Sequence, residues 1–401
     1  MSHAGAGSQS TNTRLVAIAI AGGLAAAFHM GKIPSALPLV RSDFDLDLFR
    51  SGLIVSSFSI LAAVGGIALG FLARRLGPRR AGTAGLLTTA IGASLGATSD
   101  SYAFLLASRI LEGLGFLMVA VTMPGLISRI SAPAWKSLAL GIWGAFIPAA
   151  MSLMLVVAPV AMAHSGWRGL WWLTAVCSCL MAFLFLHYSK TLIPPPQGGP
   201  PASKGHSRLN AGPLLITFSF TCYSALFAAV TAFLPTFWHE TALVPLAKAS
   251  LLASLAVTGN IVGNIAAGFL VGRGISLPLL LSVALTGGSV CAALVFSGAL
   301  PVSGQLLAAL GFTTLAGLLP GAVFANIDVI APSSKSLPLV TGMVFQGAGI
   351  GQVIGPAGLS YAVGSSGVWS GGALLIVATG VVGASVALLY GIREHRGRQS
   401  R

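Results

Sequence analysis

Charge is what this 401-residue chain has least of: Asp, Glu, Lys and Arg make up 7% of it, against about 25% in a soluble globular domain. A water-soluble fold is excluded on that ground. Cysteine is scarce as well. The four present, Cys177, Cys179, Cys222 and Cys291, all fall inside apolar segments, and Cys177 and Cys179, two apart, point to nearly opposite sides of a helix. Neither a disulfide framework nor a zinc site is suggested, and the four read as small buried hydrophobes. Nucleotide-binding signatures, metal-ligand clusters and nucleophile constellations are lacking too, so neither an enzyme nor a cofactor is expected. So is a cleavable signal peptide. The first apolar run, Leu15 to Val40, is too long for the apolar core of one and has no clear cleavage site, so it reads as a first, retained span.

What the chain has is apolar length. Hydrophobic residues make up 55% of it and its mean hydropathy is +0.90. The apolar stretches last about 20 residues, the length a helix needs to cross the hydrocarbon core, whereas barrel strands are short and alternating. An all-α integral membrane protein is expected. Breaks of Gly, Pro and charge delimit spans at 15–40, 51–73, 81–98, 102–128, 136–163 and 168–189, then at 212–238, 247–271, 276–298, 302–330, 338–363 and 369–391. Between these sets lies Lys190 to Asn210, with Pro194-Pro195-Pro196 and Gly198-Gly199-Pro200-Pro201, which reads as a solvated linker. The expected domains are a six-helix bundle over 1–190, a linker over 191–210 and a second six-helix bundle over 211–401.

The two halves also repeat one another. Gly70-Phe71-Leu72-Ala73-Arg74-Arg75 returns as Gly268-Phe269-Leu270-Val271-Gly272-Arg273, and Gly115-Phe116 with Pro124-Gly125 returns at the same spacing as Gly311-Phe312 with Pro320-Gly321. Two pseudo-symmetric membrane halves follow. Basic residues then orient them, because Lys and Arg gather on cytoplasmic loops. Of the 22 basic residues, sixteen fall on the loops and tails that carry the termini, among them Arg14, Arg74, Arg75, Arg79, Arg80, Arg129, Lys136 and Lys190. Arg41, Arg50, Arg168 and Lys248 fall on the other side, with most of the acids (Asp43, Asp45, Asp47, Asp100, Glu240). Both termini are expected in the cytoplasm, in a bacterial inner membrane. The formal charge of +14 is spread over loops facing anionic lipid head groups and requires no nucleic-acid partner.

These features resemble a major facilitator superfamily transporter over residues 14 to 392. The family's loop signature after the second span stands here as Gly70-Phe71-Leu72-Ala73-Arg74-Arg75-Leu76-Gly77-Pro78-Arg79-Arg80, with Arg74 where the family has Asp. In the family that Asp joins a charge network gating the cytoplasmic side; here its anion is missing or is supplied elsewhere, for instance by Asp328. The fourth-span motif is complete as Arg109-Ile110-Leu111-Glu112-Gly113-Leu114-Gly115. The fifth-span glycine-proline motif of antiporters is degenerate around Pro148, and the eleventh span carries a better copy, Gly351-Gln352-Val353-Ile354-Gly355-Pro356. Three patterns are similar to the cyanate and nitroimidazole permease branch: Leu140-Gly141-Ile142-Trp143, Leu234-Pro235-Thr236-Phe237-Trp238-His239-Glu240 and Phe345-Gln346-Gly347. The resemblance implies the major facilitator fold, alternating access and a central cavity lined by the first, fourth, seventh and tenth spans.

Charges inside a span cost several kcal/mol and persist where they face a cavity or a partner. Four are present: Lys32, Arg109, Glu112 and Asp328. His29 and Lys32 are three apart on one helix face, as are Arg109 and Glu112. Each has a plainer alternative. Lys32 can snorkel to the interface, Arg109 and Glu112 can lock the fourth helix as a pair, Asp328 can sit at the membrane surface, and His29 can be a packing residue. Asn260 with Asn264, together with Gln346, Gln352, Tyr223, Trp143, Trp238 and Phe324, are candidates for a lining or for interhelical hydrogen bonds.

The expected function is secondary active transport of a small solute, best an organic or inorganic anion moved with protons. Lys32, Arg109, Trp143, Tyr223, Asn260, Asn264 and Gln346 are then candidates for substrate contact, and His29, Glu112 and Asp328 for proton coupling. Gly70, Arg74, Arg75, Gly77, Arg79 and Arg80 form the cytoplasmic gate motif, no metal is bound, and a monomer is expected. The alternative is proton-coupled efflux of a lipophilic compound, with Glu112 as its acid. Carriage of a metal through His29-Met30, Met118 and Met123 is weaker, because these lack a repeated ligand spacing. So is a receptor built on a transporter fold, for want of a soluble sensory domain.

Overall fold

The computed structural model describes residues 12–190, 211–331 and 337–399. The expected linker, 191–210, lies outside them. The described residues form helices and connecting turns, with no strand among them. In chain order the helices are α1 (Thr13–Gly31), α2 (Ile33–Asp43), α3 (Leu48–Ser57), α4 (Ile60–Ala97), α5 (Tyr102–Ile130), α6 (Pro133–Gly144) and α7 (Phe146–Tyr188). They continue as α8 (Ala211–Thr241), α9 (Leu246–Gly272), α10 (Leu277–Phe296), α11 (Val302–Ala325), α12 (Ile327–Ile330), α13 (Leu337–Ser366), a 3-10 turn (Trp369–Gly372) and α14 (Ala373–Gln399).

All twelve expected spans fall on these helices, although the helix boundaries divide them differently. By length and apolarity eight helices qualify as membrane-crossing, or nine when α3 and the start of α4, bent by 45° to one another, count as one. The remainder has physical causes. At 1.5 Å per residue, the 38 residues of α4 and 43 residues of α7 would extend about 57 and 65 Å as single straight helices, roughly twice a hydrocarbon core. Each contains one glycine that leaves the helical region, Gly77 (φ 76°, ψ 159°) in α4 and Gly166 (φ 63°, ψ −175°) in α7. These positive φ values are open to glycine at little cost, and there the chain reverses between the second and third spans and between the fifth and sixth. On α4 the basic residues, and on α13 the Gly, Ser and Gln residues, hold apolarity down.

Chain reversals sort the loops onto two faces. The terminal face holds Asn12, whose amide donates to the Ile130 carbonyl at 3.1 Å, and Arg79, which donates to the Leu186 carbonyl at 3.4 Å. On the distal face Tyr102 donates to the Arg50 carbonyl at 2.9 Å, and Asp43 accepts from the Trp167 indole at 2.8 Å and pairs with Arg168. Large side chains such as Val176, Phe183 and Leu374 point outward, more than 60% exposed, as a lipid-facing surface requires.

Hydrogen bonds between the two chain halves follow two seams. In one, α13 runs along α3 and α4: Ser56 donates to the Val353 carbonyl (2.7 Å), Ser59 to the Gln352 side chain (2.6 Å), and Gln346 to the Ala63 carbonyl (3.0 Å). In the other, α7 meets α9 through a reciprocal pair, Ser254 donating to the Ser152 carbonyl at 2.8 Å and Ser152 to the Ser254 carbonyl at 3.3 Å. An Arg41–Glu240 ion pair closes the distal face between α2 and α8.

Small residues let the helices approach. The repeated Gly115 and Gly311 hold equivalent places: a Cβ on Gly115 would lie 2.4 Å from the Gly85 carbonyl oxygen, and one on Gly311 3.3 Å from Cys291 Sγ. A tighter contact joins α9 to α11, where a Cβ on Gly263 would lie 1.9 Å from the Thr314 carbonyl oxygen; five residues on, Gly268 has nothing within 4 Å. Backbone cannot yield as a side chain can. Gly263→Ala is therefore expected to destabilise the folded protein by about 1–3 kcal/mol, lowering its melting temperature in detergent, while Gly268→Ala leaves it unchanged or slightly raised.

Candidate functional site

Three helices place six polar side chains around one point. His29 and Lys32 stand one turn apart where α1 passes into α2, Arg109 and Glu112 one turn apart on α5, and Thr174 and Ser178 one turn apart on α7. Each is at most 2% exposed. Glu112 is the centre. Its carboxylate accepts from Lys32 Nζ at 3.0 Å and from the Arg109 guanidinium, and one of its oxygens lies 3.3 Å from His29 Nδ1. Lys32 also donates to Thr174 at 3.2 Å and lies 4.1 Å over the Trp171 ring. Arg109 further donates to the His29 carbonyl at 2.9 Å.

His29 has two partners that compete for one nitrogen. Its Nε2 is 2.8 Å from Ser178 Oγ, while Nδ1 lies 3.3 Å from Glu112 and 3.4 Å from the Lys32 ammonium. With a proton, Nδ1 donates to the carboxylate; without one, it accepts from Lys32. The cluster can thus hold a proton in more than one place without moving a helix.

Glycines and an aromatic ring close the site. A Cβ on Gly92 of α4 would lie 2.8 Å from the Glu112 amide nitrogen, and one on Gly96 2.6 Å from the Trp171 ring. The Phe58 ring covers the Arg109 guanidinium at 4.7 Å, and its carbonyl oxygen would meet a Cβ on Gly113 at 1.7 Å. With His29 neutral, two cations face one carboxylate, a formal excess of +1 with no solvent to spread it. Arg109 Nε and the Trp171 indole N–H are buried donors without a partner among the described residues.

The other sequence candidates lie apart from this cluster, although Tyr223 of α8 is hydrogen-bonded to Asn260 of α9. Lys32 does not snorkel, since it is 0% exposed. Trp143 stacks on Phe146 (4.3 Å between centroids) and packs on Gly23 of α1. Asn260 donates to the Thr313 carbonyl at 3.4 Å, and Asn264 donates to Asn260 at 2.9 Å, so this pair links α9 to α11. Gln346 and Gln352 are held in the α13 seam, and Trp238 donates to Gln305 at 2.8 Å. Tyr223 belongs to a chain of rings: Phe220 lies 5.2 Å and Phe227 5.9 Å from it, and Phe220 leads through Phe324 to Phe345 at 6.1 and 5.9 Å. Phe324 is 40% exposed. Of the gate motif, Gly77 makes the chain reversal and Arg75 and Arg80 are exposed. The surroundings of Gly70 and the side chains of Arg74 and Asp328 lie outside the described residues.

Sequence reasoning missed Trp171, Thr174 and Ser178, whose spacing of three and four residues on one face of an apolar span was the available signal. Removing the lone anion of the cluster leaves two buried cations facing each other, whereas removing Lys32 leaves a balanced pair. Glu112→Gln is expected to destabilise the protein by about 3–5 kcal/mol, and Lys32→Met by much less. Melting temperatures of the two variants in detergent decide this.

The chain matches the Major Facilitator Superfamily over residues 18–336. It is 31% identical over 178 residues to myo-inositol transporter 3A of Cryptococcus neoformans, covering 43% of this chain and 30% of that one. It is 23% identical over 153 residues to riboflavin transporter RibZ of Clostridioides difficile (38% and 34% covered), and 29% identical over 114 residues to the galactose-proton symporter of Escherichia coli (28% and 25% covered). It thus spans about a third of the length of the curated relatives it matches. Its fold is similar to crystal structures of a bacterial homologue of the human lysosomal transporter Spinster in inward-facing conformations, unoccupied (TM-score 0.73) and occupied (TM-score 0.75). Each likeness, at 15% identity, covers 94% of this chain and 96% of that one. A matched family model over most of the chain, an all-α membrane fold and the two sequence motifs lead to one conclusion: the chain belongs to the Major Facilitator Superfamily, a family of membrane transporters and not of enzymes.

Proposed function

We propose that this protein is a proton-coupled secondary transporter of small organic anions, in which bundles 1–190 and 211–401, joined by a cytoplasmic linker over 191–210, alternate access across a bacterial inner membrane. The observation that carries this reading is the buried cluster, one carboxylate held by two cations and an imidazole. Protonating Glu112 removes the anion that ties α1 to α5 and frees Lys32 and Arg109 to attract an anion from outside the cluster. The excess of +1 favours a negatively charged solute over a neutral or cationic one. Proton coupling is in keeping with the likeness to a galactose-proton symporter, and the patterns similar to cyanate permeases with a small anion.

A path from the cluster to the seam exists in bonded contacts. Phe58, whose ring covers Arg109, sits at the break between α3 and α4, and its neighbours Ser56 and Ser59 hold α13. A change in charge beneath Phe58 acts on the bend that meets the other half. Myo-inositol, riboflavin and galactose, named for the relatives, carry many hydroxyl groups. Here Asn260, Gln346 and Gln352 already bond other helices, and Asn264 is engaged by Asn260 on its own helix, which weighs against such a solute.

One observation favours a second reading, export of a lipophilic compound. The rings of Phe220, Tyr223, Phe227, Phe324 and Phe345 form an apolar patch in the second half, away from the charges. Proteoliposomes with an imposed proton gradient separate the two. The proposal expects gradient-driven accumulation of a small organic anion in wild type, loss of accumulation in Glu112→Gln, and retained counterflow exchange of the same anion in that variant. Gradient-driven movement of lipophilic cations, with no anion accumulated, would give the function to the second reading.

A further inference from the structure

The terminal face of the first half carries cations without a single acid. Residues 1–42 and 113–239 contain no Asp or Glu at all, and of the eight acids Asp43, Asp45, Asp47, Asp100 and Glu240 lie toward the distal face, Glu112 is in the buried cluster, and Asp328 and Glu394 belong to the second half. Here the start of α1 and the end of α7 enclose a recess of about 430 Å³ lined by Asn12, Arg14, Leu15, His187, Tyr188 and Lys190. Arg14 and Lys190 come from opposite ends of the first half and are both exposed. Neither forms an ion pair with an acid among the described residues. Like charges converge in a concave space only at a cost, unless an external anion sits between them.

The surroundings of the recess identify that anion. On α7, Phe183 (67% exposed) and Leu186 (42%) stand on the helix face that also carries His187 and Lys190, forming an apolar strip that runs down a membrane-spanning helix below the basic rim. A free phosphate or an acidic peptide has no use for such a strip. A phospholipid has, since its acyl chain lies along the helix while its phosphate reaches the polar end. We propose that the recess between α1 and α7 is a specific site for the phosphate of an anionic phospholipid head group, with Arg14 and Lys190 as its cationic ligands and His187 and Tyr188 as hydrogen-bond donors. The lipid would tie the terminal ends of the two helices that carry His29 and Lys32 on one side and Trp171, Thr174 and Ser178 on the other. The site stands apart from substrate and proton handling, so its test reads lipid binding and is unaffected by the outcome for transport.

Native mass spectrometry of the detergent-purified full chain, titrated with phosphatidylglycerol or with phosphatidylcholine of the same acyl chains, measures this directly. Wild type is expected to bind one phosphatidylglycerol in preference to phosphatidylcholine. Two basic residues near a head group are worth about thirty-fold in affinity, so Arg14→Gln with Lys190→Gln should weaken that binding roughly thirty-fold. Arg75→Gln, on the same face but outside the recess, should leave it intact, and the charge-keeping pair Arg14→Lys with Lys190→Arg should retain it. Equal binding of the two lipids, or phosphatidylglycerol binding that survives the double Gln variant, overturns the site. Competition by glycerol 3-phosphate as strong as by the intact lipid overturns the lipid assignment in favour of a soluble phosphate ester. Loss of binding in the charge-keeping variant equal to that in the Gln variant overturns the electrostatic basis.

Discussion

Glu112 is the only acid buried in the first half, and it holds three partners that have no other anion to turn to. In water such an arrangement would be trivial. Inside a helix bundle without solvent, each unpaired charge costs several kcal/mol, so the positions of α1, α5 and α7 relative to one another depend on this one carboxylate. Its neighbours are shaped to keep it there. Gly92 and Gly96 let α4 close over it, Gly113 lets the Phe58 carbonyl approach, and Phe58 seals Arg109 from the outside. Changing any of these small residues would separate helices before it touched a charge, which makes glycine a participant in the electrostatics of the site.

The same economy of small residues governs contact between the halves. Neighbouring helices gain little from apolar burial in lipid, so close backbone approach and a few hydrogen bonds must do the holding. Both seams follow that rule: Gly349 of α13 abuts the backbone of Ala62 and Ala63, and Ser152 and Ser254 exchange hydroxyl and carbonyl across the other seam. Contacts of this kind are individually weak. That suits surfaces that must part and meet again, where a deep apolar interlock would not.

Much of this was legible in the sequence because membrane folds are written in long apolar runs and punctuation. The spans, the reversal at Gly77 and the repeated glycines all follow from patterns of one or two residue types. The charged cluster was half legible: the i, i+3 spacing of His29 with Lys32 and of Arg109 with Glu112 announced two faces, but nothing local says that two faces meet. That depends on how α1 rotates against α5, which is set by contacts such as Gly31 against α7. Trp171, Thr174 and Ser178 escaped notice because a Thr or Ser in an apolar span is common and bonds its own backbone as readily as a neighbour. Amides misled for the opposite reason. Asn260, Asn264 and Gln346 read equally well as lining or as fastening; in the structure Asn260 and Gln346 bond neighbouring helices, while Asn264 bonds Asn260 on its own helix.

The buried charged cluster and the ring chain around Tyr223 belong to different halves, and that separation bears on how coupling works. If proton and substrate shared one set of side chains, each would have to displace the other directly. Here the His29, Lys32, Arg109 and Glu112 cluster is sealed in the first half, whereas the ring chain from Phe227 through Tyr223 and Phe220 to Phe324 and Phe345 lies in the second. On the proposed reading the two events communicate through position. A proton on Glu112 loosens α1 from α5, Phe58 transmits that change to the bend between α3 and α4, and the bend carries Ser56 and Ser59 against α13. The helix that receives the signal also carries Phe345, so a seam that moves for the proton also reshapes the surface offered to the solute.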